Sequence, residues 1–249
     1  IEYPLGEEPV VLDEAHTAIQ KLAIQSKDDA TTLAALTRDG RLLLVGLSAK
    51  KNLVTGAVAI ERSAGKLDGV DGEINNLIIE VKQRDLYIGH GSKFIAHFDI
   101  TDKSQPRLMQ KQQVAAEGET LSALNILSGG FSLIVGTDKG NLSQWFQVRD
   151  AQNNYTLTRI RDFKPMPGKI TTLAPEYFRK GFVAGDNQGT VGLYYATSQK
   201  LLWRDPVGKG GIVAAETTPR ANGLVIQSAD GKLYAAQVHN EFPEVSFSA

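Results

Sequence analysis

The chain has 249 residues, 42% of them hydrophobic, enough to bury a sizeable core in one large β domain or two small ones and to exclude a disordered segment. Its 27 Lys and Arg nearly cancel its 28 Asp and Glu, and no block of like charge is long enough to supply the clustered cations that nucleic acid or an anionic membrane surface requires. The lack of cysteine removes disulfides, thiolate nucleophiles and cysteine metal sites together.

The chain opens on Ile1 with no charged n-region or apolar h-region, so no signal peptide is expected within it and it reads as an excised domain. Pro9–Leu12 is strand-like but has no unit of its own. From there a single grammar recurs: four short strand patterns separated by Gly, Asp and Asn turns. The first unit comprises Ile19–Ile24, Thr32–Leu36, an Asp39-Gly40 turn, Leu42–Leu47 and Ala57–Glu61. The second comprises Ile74–Ile79, Leu86–Gly89, Phe94–Ile100 and Leu108–Gln112. The third comprises Thr120–Ile126, Phe131–Gly136, the turn Thr137–Gly140, Leu142–Val148 and Tyr155–Arg161. The clearest is the fourth: Lys169–Ala174, Gly181–Gly185, the turn Asp186–Gly189, Thr190–Ala196 and Lys200–Arg204. The last has Ile212–Thr217, Leu224–Gln227, an Asp230-Gly231 turn and Leu233–Val238, without an obvious fourth strand.

The glycine closing the turn before each third strand falls at Gly40, Gly91, Gly140, Gly189 and Gly231, at spacings of 51, 49, 49 and 42 residues. Blades of WD40 and kelch propellers repeat every ~40–50 residues. No sustained helical stripe competes with this pattern. The sequence therefore predicts an all-β, WD40-like β-propeller with five four-stranded repeats, at about residues 14–70, 71–114, 115–166, 167–208 and 209–249, in a single domain spanning 1–249. Pro9–Leu12 is expected to supply the strand that the last unit lacks, because borrowing a strand from the opposite terminus removes an open edge.

No motif implies catalysis. Leu127–Gly130 spells the signature of an ABC-type ATPase, but the phosphate cradle that such chemistry needs is missing, and a turn explains it. Thr120–Thr137 is uncharged over 18 positions, yet Gly129-Gly130 splits it into two strands and a turn. Asp68–Glu73 holds three carboxylates at no recognised calcium spacing and reads as a connection between units. His16, His90, His97 and His239 share no zinc spacing, and His97 alternates with Phe94 and Phe98 as a packed residue. Trp145, Trp203, Tyr194, Tyr195 and Phe182 are expected to pack within or between units. No enzyme activity, metal or cofactor is expected. One loop differs: Tyr177, Phe178, Arg179 and Lys180 join two strands and place two rings beside two cations, the residue types that anchor protein interfaces. It is the candidate partner-contact loop; the alternative is a loop whose rings tuck back on the sheet.

The segments Tyr3–Asp13, Leu33–Leu44, Arg179–Leu202 and Phe242–Ala249 resemble the large extracytoplasmic insert of bacterial phosphate-type ABC-transporter permeases, a propeller-like region between an early transmembrane helix and the permease core. The resemblance spans nearly the whole chain. It implies a soluble region of a membrane-embedded parent chain, on the periplasmic side of the inner membrane. The implied partners are the transporter membrane core and a periplasmic phosphate-binding protein, and the implied role is a contribution to phosphate uptake through those contacts. It also implies that the five repeats belong to a larger ring. The alternatives are a free-standing propeller scaffold for other proteins and, third, a hydrolase with a site at the channel mouth.

Overall fold

The computed structural model describes residue 11 and residues 13–178, 180–220, 222–238 and 245–248. Its elements are all strands: β1 (Ile19–Lys27), β2 (Ala30–Thr37), β3 (Leu42–Lys51), β4 (Val58–Lys66), β5 (Ile74–Ile79), β6 (Asp85–His90), β7 (Phe94–Asp99), β8 (Arg107–Gln113), β9 (Leu121–Ile126) and β10 (Ser132–Thr137). They continue as β11 (Leu142–Arg149), β12 (Tyr155–Phe163), β13 (Ile170–Glu176), β14 (Gly181–Asp186), β15 (Thr190–Tyr195), β16 (Lys200–Pro206), β17 (Ile212–Thr217), β18 (Gly223–Ser228), β19 (Leu233–Val238) and β20 (Val245–Ser248). Four consecutive strands form each of five antiparallel sheets, always in chain order. Among the described residues no helix is long and apolar enough to cross a membrane.

The turn glycines are where the backbone requires them. Gly40, Gly91, Gly140, Gly189 and Gly231 all have positive φ, between 56° and 88°, which a side chain would penalise. Beside them, polar side chains take up the turn's amides. In the fourth sheet the fully buried Asp186 accepts from the amides of Gly168, Gln188 and Thr190 at 3.0, 3.0 and 2.8 Å, tying the turn to the segment that enters the sheet.

Both faces of an interior sheet are covered. In the fourth, Phe182 and Tyr194 stack at 4.9 Å between centroids on the side of the third sheet, while Val183, Val191 and Leu193 lie against the fifth. This double burial explains why β10 and β14 are apolar or buried along their whole length rather than alternating. The described residues hold four apolar cores, one per junction between successive sheets. The inner strands β1, β5, β9, β13 and β17 pack side by side in that order, and no comparable packing joins β17 back to β1 among the described residues.

Strand exchange is not how the last sheet is completed. Val245–Ser248 pairs with β19, Ala235 opposite Ser248 and Val238 opposite Val245, so the fourth strand comes from the chain's own tail. It escaped the sequence pattern because it is only four residues long. Pro9–Leu12, apart from Val11, lies outside the described residues.

Every inner strand carries a bulge after its first residue, at Gln20, Asn75, Ser122, Thr171 and Val213. At two of the bulges the side chain reaches the next sheet. Ser122 Oγ donates to the carbonyl of Ile170 at 2.7 Å, and Thr171 Oγ1 donates to that of Ile212. At these two junctions a hydrogen bond joins neighbouring sheets in addition to apolar contact.

Candidate interaction face

The connections from each first strand to its second gather on one face of the stack, around the ends of the inner strands. Glu80–Arg84 joins β5 to β6, Leu127–Phe131 joins β9 to β10, and Tyr177–Lys180 joins β13 to β14. Leu127–Gly130 is a turn, with Gly129 and Gly130 both at positive φ. Between these connections lies a cavity of about 350 Å³ lined by residues of four sheets, including Ile24, Leu77, Val81, Ile126, Pro175 and Tyr177.

Of the loop singled out in the sequence, Tyr177 and Phe178 are 56% and 65% exposed, and Lys180 is exposed as well. Arg179 lies outside the described residues. The loop is held at its root. The buried carboxylate of Glu176 accepts the amide of Phe178 at 3.1 Å, and the carbonyl of Pro175 accepts Thr217 Oγ1 of the fifth sheet at 2.7 Å. Lys180 turns the chain into β14 at φ 54° and accepts the amide of Ala196 at its carbonyl. A fixed root restrains the backbone of the loop, so less backbone entropy is left to lose on contact.

Two neighbouring loops add to the same surface. Phe131, 70% exposed, and Val81 stand beside the cavity, and Lys82 Nζ lies 4.8 Å from the centre of the Phe131 ring. The Glu80–Arg84 loop is pinned backward too: Gln83 accepts from Thr32 Oγ1 at 2.6 Å and donates to the carbonyl of Ala30 at 3.0 Å, both in the first sheet. From below, Lys103 Nζ donates to the carbonyls of Gln83 and Ile100, both at 2.7 Å, and its burial lowers the pKa of that ammonium. The exposed side chains are therefore apolar rings with cations beside them: Lys82 and Arg84 at one loop, Lys180 at another. Phe131, Val81 and Lys82 were not singled out in the sequence. Their signal was available, since aligning the repeats on their turn glycines brings the three loops to equivalent places.

A second hollow, about 470 Å³, opens between the second and third sheets beside Phe131, Met109 and Tyr155. His97 lies in its wall, 8% exposed and stacked on Tyr87 at 4.8 Å. Both ring nitrogens are engaged, Nε2 with Asp85 at 2.6 Å and Nδ1 with Gln147 at 3.0 Å. Gln147 also meets Gln110, whose oxygen accepts the amide of Leu157. The Tyr87 phenol, pushed up by burial and by the Asp85 charge, stays protonated at ordinary pH. The chain of contacts runs from one sheet to the next and clasps them, with His97 as its middle link. Among the described residues no group of three or more His, Asp or Glu is placed to hold a metal ion.

In fold the chain is similar to the β-propeller domain of Myceliophteria thermophila Cps50 (Swd1), with a TM-score of 0.66 over 93% of this chain and 71% of that one, at 14% identity. It is also similar to the computationally designed Ika4 protein, with a TM-score of 0.57 over 70% of this chain and 96% of that one, at 17% identity. No protein-family profile matches the chain, and no curated protein sequence does. At these identities the likeness establishes architecture: a WD40-like β-propeller fold.

Proposed function

We propose that this chain is a non-catalytic protein-interaction module that meets its partner through the face bearing Tyr177, Phe178, Phe131 and Val81. The observation that carries this reading is the pair of exposed rings at Tyr177 and Phe178 on a loop whose root is hydrogen-bonded in place. Aromatic residues beside cations make the strongest single contributions to protein interfaces, and a loop held before contact loses little entropy on binding. The cations Lys82, Arg84 and Lys180 favour a partner whose contact patch is apolar with acidic surroundings.

The resemblance of Arg179–Leu202 and Phe242–Ala249 to the phosphate-type ABC-transporter permease insert supports a narrower form of the same reading. The module then stands on the periplasmic side of a bacterial inner membrane, joined to the transporter membrane core, and contributes to phosphate uptake by contacting the periplasmic phosphate-binding protein. Calorimetric titration of the chain with the cognate phosphate-binding protein, with and without phosphate, tests it. Saturable binding weakened at least about tenfold by Tyr177→Ala combined with Phe178→Ala is expected. No heat of association at either phosphate level removes the transporter form of the proposal.

A further inference from the structure

The second sheet sets two carboxylates against each other. Asp85 opens β6 and Asp99 closes β7, and the antiparallel register places them directly opposite. Like charges in that position repel and destabilise a sheet. The corresponding pairs in the other sheets are Thr32 with Gly46, Ser132 with Phe146, Gly181 with Tyr195 and Gly223 with Gln237, none of them charged. Two residues inward lie Tyr87 and His97, again opposite and stacked on each other. All four line the hollow of about 470 Å³ between the second and third sheets, with Phe131, Tyr155 and the thioether of Met109. That volume is within the ~300–1,000 Å³ of small-molecule sites. Two carboxylates line it and no Lys or Arg does.

A backbone amide fixes the polarity of this wall. The amide of Leu157 donates to Oε1 of Gln110, Gln110 Nε2 donates to Gln147 Oε1, and Gln147 Nε2 donates to Nδ1 of His97. The ring proton therefore sits on Nε2, which donates to Oδ1 of Asp85 at 2.6 Å. In this arrangement the ring is neutral, so it orients Asp85 without cancelling its charge. Oδ2 of Asp85 has no hydrogen-bond partner among the described residues, and the side chain is 37% exposed. Asp99 is held by the amide of Thr101 and by Arg107, which stands outside the lining.

We propose that this hollow binds a small organic cation, an ammonium that carries apolar groups. Its charge lies beside Asp85 and Asp99, where it relieves their repulsion, and its apolar groups lie against Tyr87, Phe131, Tyr155 and the Met109 thioether. Ring faces attract cations, and two of these rings already do so: Lys82 Nζ is 4.8 Å from the centre of Phe131, and the Arg149 guanidinium is 6.0 Å from that of Tyr155. Neither cation lines the hollow. Asp85, Asp99 and His97 are not placed to hold a metal ion together. The inference does not rest on the protein-partner reading. Of the residues assigned to that face only Phe131 lines the hollow, and the test below uses the chain alone.

The chain's two methionines make that test specific, because Met109 lines the hollow and Met166 is buried in the core between the third and fourth sheets. With carbon-13 in the methionine methyls, the chain is titrated by NMR with choline, with its neutral isostere 3,3-dimethylbutan-1-ol, and with potassium chloride at matched ionic strength. A saturable shift of the Met109 methyl is expected, at least about tenfold tighter for choline than for the alcohol, with the Met166 methyl stationary. Asp85→Asn should weaken choline by about tenfold or more and Tyr155→Ala by about fivefold, while Tyr155→Phe binds as the parent does. An unmoved Met166 signal shows that a variant is folded; if Asp85→Asn disturbs it, Tyr155→Ala, at a side chain 60% exposed, carries the comparison. No Met109 shift up to about 50 mM choline overturns the proposal. Equal affinity for the alcohol, or an equal response to potassium chloride, overturns it too, as does parental choline affinity in the folded variants.

Discussion

A β-carbon on Gly185 would lie 2.6 Å from Cγ2 of Ile212, the first residue of the next inner strand. The relationship repeats one sheet earlier, where Gly136 gives the same room to Ile170, and again where Gly89 faces Leu121. These glycines have ordinary strand backbone, so the space they leave is the reason for them. Their place in the second strand sets how closely successive sheets approach. Gly185→Ala is therefore expected to destabilise the fold by about 1–3 kcal/mol through overpacking at that junction, as read by urea unfolding. A change below about 0.3 kcal/mol would mean that the junction is looser than the contact implies.

The bulge hydroxyls give a second measure of the same junctions. Ser122→Ala and Thr171→Val each remove a donor to a carbonyl of the neighbouring sheet, at Ile170 and Ile212. Each should cost about 1 kcal/mol in denaturant unfolding, the usual worth of such a bond. Variants as stable as the parent would show that water replaces the hydroxyl without loss.

Lys82 and Phe131 belong to connections of different sheets, and the Lys82 ammonium lies 4.8 Å from the centre of the Phe131 ring. A double-mutant cycle with Lys82→Ala and Phe131→Ala should return a coupling of about 0.5–1 kcal/mol, with each single variant close to the parent in Tm because both side chains are exposed. Strictly additive effects would mean that the ammonium and the ring act independently.

Acid should loosen the second sheet through Asp99. The amide of Thr101, at 2.9 Å, and the Arg107 guanidinium hold its pKa down from 3.8 to about 2. A lowered carboxylate pKa favours the charged form in the fold, so its contribution is complete above pH 3.8 and is lost as pH falls from 3.8 toward 2. The Tm difference between the parent and Asp99→Asn should accordingly shrink over that interval. A difference that stays constant from pH 6 to 2 contradicts the assignment.

The sheets were legible in the sequence because each needs a turn glycine at positive φ and short apolar strands on either side of it, and both signals are local. Gly140 and Gly189 mark two such turns, and the flanking strands differ from their expected bounds by one or two residues. What joins the sheets was not legible. Ser122 and Ile170, or Lys82 and Phe131, are nearly one repeat apart in the chain, and nothing near either residue signals its partner. His97 was read as a packed residue, and it is buried, but its link to Gln147 depends on the neighbouring sheet, whereas Asp85 sits on the adjacent strand of its own. Val245–Ser248 went unrecognised because four residues carry too little alternation. The sequence left the exposure of Tyr177 and Phe178 open, since the rings of such a loop can stand in solvent or tuck back on the sheet. Nor was the fixing of that loop by Glu176 and Thr217 legible.

Hydrogen–deuterium exchange of the chain alone and mixed with the phosphate-binding protein proposed as its partner tests where a contact surface lies on the fold. Slowed exchange confined to Glu80–Arg84, Leu127–Phe131 and the Tyr177–Lys180 loop is the expected result. Slowing at the opposite turns around Gly40, Gly140 and Gly189, with those loops unchanged, would contradict the assignment of the partner face.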